Sequence, residues 1–311
     1  MTTTVPLRRT LVAACAAVAL VVTAAPAVSA APSVAVGRTG AVGHGDSSHL
    51  GYQKSVVARV LKGVFEEGDA EVVDRYVRQD YIQHNPLAPD GTEALKNLGT
   101  AMSQQFPDAE YDIKRIISEG NLVVAHSNVI LTPGTRGTAV VDIFRFQGKR
   151  IAEHWDVGQE VPETSVNGND MFSTESRPQT GNPGPRRRTA ANKALVTKAF
   201  DRLLVNKDLS ALDRYFGPEY HQHNPNVPNG VRGAKEGLGG YFGAFPQLTV
   251  SPKRVIAEGD LVAVHSHYVN VPGDRGQAIV DLFRVRNGKI VEHWDVSQNV
   301  PETSANDNTM F

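Results

Sequence analysis

The chain has 311 residues, one cysteine and nearly balanced charge, with 32 basic and 33 acidic residues. Residues 1–30 have the pattern of a signal peptide, in which two arginines precede an apolar run that ends in small residues at Ala30. Its removal takes away Cys15 and leaves 30 basic and 33 acidic residues, a net charge of −3. This composition excludes disulfides and gives no basic surface for nucleic acid or for an anionic membrane. We therefore expect a secreted protein, exported by the Sec or the twin-arginine route.

The rest of the chain is an internal duplication. Residues 54–172 and 193–311 align without a gap at an offset of 139, with 50 identities in 119 positions. A period of this length predicts tandem domains and not a solenoid. The expected organisation is a disordered N-terminus at 31–49, a first domain at 50–172, a linker rich in proline, glycine and charge at 173–188, and a second domain at 189–311.

Each repeat begins with helices and ends with strands. In the first repeat, residues 54–67 carry a helical apolar stripe and Asp69 can cap a second helix. A short strand at 81–86 and a third helix at 92–106 follow. Glycine, asparagine and proline turn signals then separate four predicted strands, at 111–120, 121–131, 137–146 and 150–161. Helices followed by an antiparallel meander predict an α+β fold.

The faces of the last two strands can be predicted from a hairpin signal. In the second repeat, Asn287-Gly288 predicts a two-residue turn. Applied to both repeats, the resulting register puts His154 and Asp156 on an outer face that could form a seam between domains. The more aromatic face should line a cavity under the helices, and it holds Asp142 opposite Trp155, Phe144 opposite Glu153, and Gln159. A single β-bulge would exchange the two faces beyond it.

The motifs "YIQHNP", "VVDIFRF", "GKI" and "EHWDVxQ" have identical or similar counterparts, in this order, in both repeats. With them, residues 50–172 and 189–311 each resemble SnoaL-like domains of the nuclear transport factor 2-like superfamily. The resemblance implies cone-shaped barrels in which a curved antiparallel sheet wraps around N-terminal helices. It also implies that the two domains pack on each other as a pseudo-dimer. The superfamily includes polyketide cyclases, steroid isomerases, epoxide hydrolases, dehydratases and domains that only bind ligands.

The resemblance also nominates site residues. The "VVDIFRF" strand resembles the isomerase strand whose aspartic acid donates a hydrogen bond to an enolate, and "HWD" resembles a strand with a catalytic aspartate. "YIQHNP" stands where a carboxylate base is expected, and here it offers histidine. The catalytic candidates are Asp142, Asp281, His84, His223, Asp156 and Asp295. The ligand-binding candidates are Tyr81, Tyr220, His126, His265, Phe144, Phe283, Trp155, Trp294, Gln159 and Gln298.

A desolvated Asp142 is expected to keep its proton and to stabilise an oxyanion, with His84 as the base. This pair would suffice for aldol cyclisation, isomerisation or dehydration of a small apolar carbonyl compound without a cofactor or a metal. A non-catalytic carrier or sensor of small ligands is the first alternative. The second is a metal-dependent hydrolase in the second repeat, where the pairs His221/His223 and His265/His267 have H-x-H spacing.

Overall fold

The structure, a computed structural model, describes residues 47–175 and 186–311. The predicted signal peptide, almost all of the predicted disordered N-terminus and most of the predicted linker lie outside the described residues. None of the described helices is both long and apolar enough to cross a membrane.

Both repeats have the same order of helices and strands. The first comprises α1 (Ser47–Phe65), α2 (Ala70–Tyr76), β1 (Val77–Gln83), α3 (Thr92–Gln105), β2 (Glu110–Glu119), β3 (Leu122–Ile130), β4 (Thr138–Gln147) and β5 (Arg150–Glu160). The second comprises α4 (Arg186–Phe200), a π-helical turn (Asp201–Val205), α5 (Ser210–Tyr215), β6 (Phe216–Gln222), α6 (Gly230–Ala244), β7 (Thr249–Glu258), β8 (Leu261–Val269), β9 (Gln277–Arg286) and β10 (Lys289–Asn299).

The predicted α+β class is confirmed, with one difference in the sheet. Strands β2 to β5 form the expected antiparallel meander, but β1 pairs with β5 in parallel, so each five-stranded sheet is mixed. A parallel pair needs a long connection, and here α3 and the meander provide it. This edge matters because it brings the "YIQHNP" segment beside the "EHWDV" strand.

The helices cover one face of each sheet. The apolar stripe of α1 is buried as predicted, and it joins β-strand residues in the core of the first repeat. Asp69 caps α2, because its carboxylate accepts a 2.8 Å hydrogen bond from the backbone N–H of Glu71.

The predicted register of the last hairpin is wrong beyond its first two pairs. The turn itself forms as expected, with positive φ at Asn287 (52°) and Gly288 (72°), and Lys289 pairs with Arg286. One residue later β10 bulges, so that Glu292 pairs with Arg284. The first repeat has the same irregularity in β5, just after Ile151.

The bulge exchanges the faces of every residue beyond it. Asp142 pairs with Asp156 and Phe144 with His154, whereas Trp155 pairs with Ile143. His154 and Asp156 therefore share the helix-covered face with Asp142. Trp155 points to the other face, where the register predicted His154 and Asp156.

The other faces of the two sheets share a buried apolar cluster. It contains Ile117, Val141, Ile143, Trp155 and Val157 from the first repeat and Ile256, Val280, Leu282, Trp294 and Val296 from the second. Each tryptophan is covered by an arginine of the other repeat. The guanidinium carbon of Arg115 lies 4.0 Å from the Trp294 ring centroid, and that of Arg254 lies 4.0 Å from the Trp155 centroid.

Candidate functional site

A cavity of about 240 Å³ lies between the helices and the sheet of the first repeat. This volume is somewhat below the roughly 300–1,000 Å³ common for ligand pockets, so it suits a small compound. Most of its wall is apolar, with side chains such as Leu61, Leu98, Met102 and Phe144. Its polar groups are Tyr81, Gln83, Asn85, Tyr111, Asp142, His154 and Asp156, with Glu66, Glu110 and Thr138.

Asp142 is an acceptor on both oxygens. The Tyr111 hydroxyl donates to Oδ2 over 2.6 Å, and Oδ1 lies 3.0 Å from Nε2 of His154. The side chain is 2% exposed, so these partners take the place of water. Both oxygens are thus occupied by protein groups, so neither is free to donate a hydrogen bond to a ligand, which was the role predicted at this position.

His154 is held at both ring nitrogens. Its Nδ1 lies 3.0 Å from Oε1 of Gln83. That oxygen also accepts the backbone N–H of Asn85, and the Gln83 amide nitrogen donates to the Tyr81 hydroxyl oxygen over 3.1 Å. These contacts fix the orientation of the Gln83 amide, so Nδ1 of His154 must carry a proton.

The charge of His154 follows from its surroundings. Burial lowers its pKa, but the hydrogen bond to Asp142 and the charges of Asp156 and Asp142 outweigh burial, and the net pKa is raised. The raised pKa favours the protonated imidazolium form of His154.

Asp156 has one engaged and one unengaged oxygen. Its Oδ2 accepts a 2.7 Å hydrogen bond from the Asn85 amide, whereas the buried Oδ1 has no hydrogen-bond partner among the described residues. Burial raises the pKa of Asp156; the His154 charge opposes this, and the nearby Asp142 charge adds to it. Asp156 is thus a carboxyl group in this cavity that is inclined to keep its proton.

Tyr81 is the remaining polar group near Asp156. Burial, with the charges of Asp156 and Asp142, raises its pKa well above the usual range, so the phenol stays protonated. Its oxygen accepts from Gln83, and within the described part of the chain its own proton has no acceptor. The Asp142–His154–Gln83 chain therefore orients a phenol that can still donate one hydrogen bond.

The second repeat has the same network. His293 Nε2 lies 2.9 Å from Asp281, and His293 Nδ1 lies 2.8 Å from Gln222 Oε1. Gln222 donates to the Tyr220 hydroxyl over 3.2 Å, and Asn224 donates to Asp295 Oδ2 over 2.6 Å. Burial, partly offset by the charge of His293, raises the pKa of Asp295 to about 6, and its Oδ1 again has no partner among the described residues.

The tyrosine that contacts the central aspartate changes strand between the repeats. The residue equivalent to Tyr111 is Val250, and the residue equivalent to Val129 is Tyr268. Tyr111 pairs with Val129 across β2 and β3, and Val250 pairs with Tyr268 across β7 and β8. The Tyr268 hydroxyl donates to Asp281 Oδ2 over 3.1 Å, so the same phenol reaches the same carboxylate from the neighbouring strand. Sequence reasoning missed both tyrosines, although this compensated exchange was visible in the aligned repeats.

This exchange gives a direct test of the contact. Tyr111→Phe should lower the free energy of unfolding by about 1–3 kcal/mol, because it leaves a buried oxygen of Asp142 without its hydrogen-bond donor. Tyr111→Val alone should cost more, and Tyr111→Val combined with Val129→Tyr should recover part of that loss. Urea unfolding of the wild type, Tyr111→Val, Val129→Tyr and the double variant measures the coupling. Strictly additive effects of the two substitutions would contradict the proposed equivalence.

Two residues of the cavity wall in the first repeat are replaced by polar residues in the second. Met102 and Leu131 line the first cavity, and their equivalents in the second repeat are Tyr241 and Asn270, which are joined by a 2.5 Å hydrogen bond. A polar contact in the second repeat thus replaces an apolar margin in the first.

His84 and His223 lie outside the two polar networks. His84 Nε2 is 2.8 Å from Glu153, Nδ1 is 2.5 Å from the carbonyl oxygen of Thr309, and the ring stacks on Trp155. His223 makes the equivalent contacts with Glu292, the Asp170 carbonyl and Trp294. The predicted partnership of His84 with Asp142 in one cavity is therefore not formed, because Gln83 and Asn85 face the cavity and His84 faces away.

Several predicted ligand-binding residues belong to the surface between the repeats. His126 and His265 accept hydrogen bonds from Arg115 and Arg254. Burial, aided by the arginine charge, lowers both histidine pKa values, that of His265 to about 3.

The other predicted residues between the repeats are the two tryptophans and the two glutamines. Trp155 and Trp294 lie in the shared apolar cluster. The side-chain oxygens of Gln159 and Gln298 accept hydrogen bonds from the backbone N–H groups of Ser297 and Gly158, respectively. Phe144 lines the first cavity as predicted, and Phe283 packs on His293 as Phe144 packs on His154.

Two groups of side chains could hold a metal ion. In the described residues, Asp142, His154 and Asp156, and their equivalents Asp281, His293 and Asp295, bring ligand atoms within 4.8 Å of one another. The H-x-H pairs do not form such a group: His265 is bound to Arg254, and His267 lies 2.7 Å from the Arg275 carbonyl oxygen. The additional histidines of the second repeat thus do not form a group of metal ligands that the first repeat lacks.

Comparison with known families agrees with the duplicated fold. A sequence model described as a SnoaL-like domain matches residues 57–154 and again 196–293. The chain belongs to the SnoaL-like domain family. Curated protein sequences give no match.

Solved structures similar to single repeats include three bacterial proteins. A candidate polyketide cyclase from Acidithiobacillus ferrooxidans is 18% identical, with 35% of this chain and 88% of that chain covered and a TM-score of 0.30. IdmH from Streptomyces antibioticus, also a candidate polyketide cyclase, is 23% identical, with coverage of 34% and 91% and a TM-score of 0.30. AclR from Streptomyces galilaeus, a candidate hydroxylase, is 25% identical, with coverage of 35% and 90% and a TM-score of 0.30.

Proposed function

We propose that this tandem SnoaL-like protein binds a small, largely apolar carbonyl compound and acts on it by cofactor-free acid–base chemistry of the aldol, isomerase or dehydratase kind. The observation that carries the proposal is the unengaged Oδ1 of Asp156, buried in an apolar cavity beside a phenol that has a proton to donate.

In the proposed step, the ionised Asp156 takes a proton from the carbon next to the carbonyl group through Oδ1. The carbonyl oxygen gains the negative charge and accepts the Tyr81 hydrogen bond. Asn85 fixes the Asp156 carboxylate through Oδ2, and the chain from Asp142 through His154 and Gln83 fixes the phenol. These residues are pre-organised, so little reorganisation accompanies the development of charge. Return of the proton to another carbon isomerises the compound. Attack of the enolate carbon on a second carbonyl group closes a ring, and the proton held by Asp156 then passes to the alkoxide oxygen that forms, which restores the base.

The resemblance implies a catalytic role for Asp156 and Asp295. Their buried environment supports this role, since a base is most effective when its pKa lies near the working pH. Asp142 and Asp281 become positioning residues in this proposal. Tyr81 and Tyr220 take the oxyanion-stabilising role that the sequence assigned to Asp142 and Asp281.

Exchange of α-protons is the most general test, because every reaction in this class begins with it. The purified protein is incubated in D₂O with 2-tetralone and with cyclohexanone, and deuterium incorporation is followed by NMR. We expect exchange well above the rate in buffer and in an equal concentration of free imidazole and acetate. Ligand-induced shifts without any exchange would favour the carrier or sensor.

The proposal also includes the location of the protein and the arrangement of its two repeats. The signal-like sequence of residues 1–30 suggests that the chemistry takes place outside the cytoplasm. The contacts between the two sheets suggest that the repeats act as an intramolecular pseudo-dimer.

A further inference from the structure

The segment after the last strand of each repeat crosses to the other repeat. Residues 165–172 follow β5, and residues 304–311 follow β10. The two segments are equivalent in the alignment, and both contain two asparagines and a final Met-Phe at the same positions. We call them the first and second tails. Met171 and Met310 anchor them, since each is buried in the apolar cluster that the two sheets share.

The second tail binds the loop that carries Gln83 and Asn85. The Asn306 amide donates to the backbone carbonyls of Asn85 (2.7 Å) and Ala88 (2.8 Å). The Asn308 amide donates to the carbonyl of Gln83 and to the Asp90 carboxylate, both over 2.9 Å.

Further backbone contacts complete the second tail's hold on this loop. The Ala305 N–H donates to the Pro86 carbonyl over 2.7 Å, and the Thr309 carbonyl lies 2.5 Å from His84 Nδ1. His84, the predicted base, thus serves as one of the attachment points.

The first tail makes the reciprocal contacts with the second repeat. The Asn167 amide donates to the carbonyls of Asn224 (2.6 Å) and Val227 (2.9 Å), and the Asn169 amide donates to the carbonyl of Gln222 (2.9 Å). The loop of each site is therefore held by the tail of the other repeat.

We propose that each site is completed by the tail of the other repeat, with Asn306 and Asn308 as positioning residues for the first site and Asn167 and Asn169 for the second. The reason is mechanical: Gln83 and Asn85 orient Tyr81 and Asp156 through their side chains, while their backbone carbonyls are fixed by the second tail. The loop, which carries a proline at position 86, also has restraints within its own repeat, such as the hydrogen bonds from the Gln83 N–H to Asp90 and from the His84 N–H to the His154 carbonyl. The tail adds to these by fixing the carbonyls of the loop. This inference rests on the proposed function only for the chemistry that the positioned residues perform.

The experiment compares two matched double variants of the full-length protein, Asn306→Ala with Asn308→Ala and Asn167→Ala with Asn169→Ala. Hydrogen exchange with mass spectrometry follows residues 81–91 and 220–230 in both. We expect at least tenfold faster exchange at 81–91 in the first variant with little change at 220–230, and the opposite pattern in the second. The slowly exchanging Nδ1 proton of His154 should be lost from the NMR spectrum in the first variant only, and that of His293 in the second only.

This readout does not require turnover, so the failure of the proposed reaction and the failure of this inference remain distinguishable. Asn308→Ala alone provides a milder change if the double variant does not fold, and it should give the same site selectivity at smaller amplitude. Equal acceleration at both loops in each variant would mean a general loss of stability, and unchanged exchange at the loop would mean that the tail does not hold it. Either result would overturn the proposal.

Discussion

Replacing Asp156 and Asp295 together by asparagine is expected to reduce α-proton exchange by about 10²- to 10⁴-fold. The substitution keeps the shape of the side chain and leaves an oxygen to accept the hydrogen bond of Asn85, but it removes the basic oxygen that faces the cavity. The loss should fall on kcat more than on KM, since the residue acts on the proton being transferred. The single variants report how much of the activity each site contributes.

The matched control is Glu153→Gln with Glu292→Gln. These carboxylates lie on the same two strands, but they contact His84 and His223 outside the networks. The control should keep exchange within a few-fold of wild type. It is measured at a temperature at which all variants are folded, because Glu292 is fully buried and also pairs with Arg284. If the aspartate variants stayed within tenfold of wild type, a base other than Asp156 and Asp295 would have to be found.

The second large effect is expected at the phenols. Tyr81→Phe with Tyr220→Phe should lower kcat by about 10²- to 10³-fold, which corresponds to about 2.7–4 kcal/mol of transition-state stabilisation, as for the loss of one oxyanion donor. The ring remains, so the apolar packing and the binding of an unreactive ligand should be preserved. Steady-state kinetics of exchange, with binding measured separately by NMR, distinguishes the two effects.

Tyr52→Phe is the control for this pair, because the Tyr52 hydroxyl makes an exposed hydrogen bond to the Lys149 carbonyl far from the networks. A rise in KM without a fall in kcat in the Tyr81 and Tyr220 variants would show that the phenols only bind the substrate.

The sequence predicted most of the fold because the fold depends on patterns that extend over many residues. The gap-free alignment of the repeats, the apolar stripe of α1 and the capping by Asp69 each rest on several residues or on local chemistry. A parallel edge strand depends on a contact between segments about 70 residues apart, such as Gln83 with His154. No local pattern indicates that contact.

The composition of the site was predicted better than its geometry. A single extra residue after Ile151, and likewise after Ile290, changed which side chains of the last strand face the helices, and alternation of side chains alone cannot locate such a bulge. The family resemblance nominated Asp156 independently of the register, and the structure places it in the cavity. The exchange of Tyr111 for Tyr268 and the crossing of the tails are tertiary contacts. They could be identified only from the positions of β2, β3 and the loops in the folded protein.

Each site is expected to hold one buried carboxyl group, Asp156 or Asp295, that keeps its proton to a higher pH than an ordinary aspartate, because burial raises its pKa. Since the folded state then binds this proton more tightly than the unfolded chain, the carboxyl contributes stability at acidic pH, and the contribution is lost as the pH rises through the folded-state pKa.

Carboxyl ¹³C NMR titration of the aspartate-labelled protein, assigned with the Asp156→Asn and Asp295→Asn variants, measures this most directly. We expect a midpoint of about 6 for Asp295 and a midpoint above the ordinary aspartate value for Asp156. Midpoints near the ordinary value of about 3.9 for both residues would contradict this expectation.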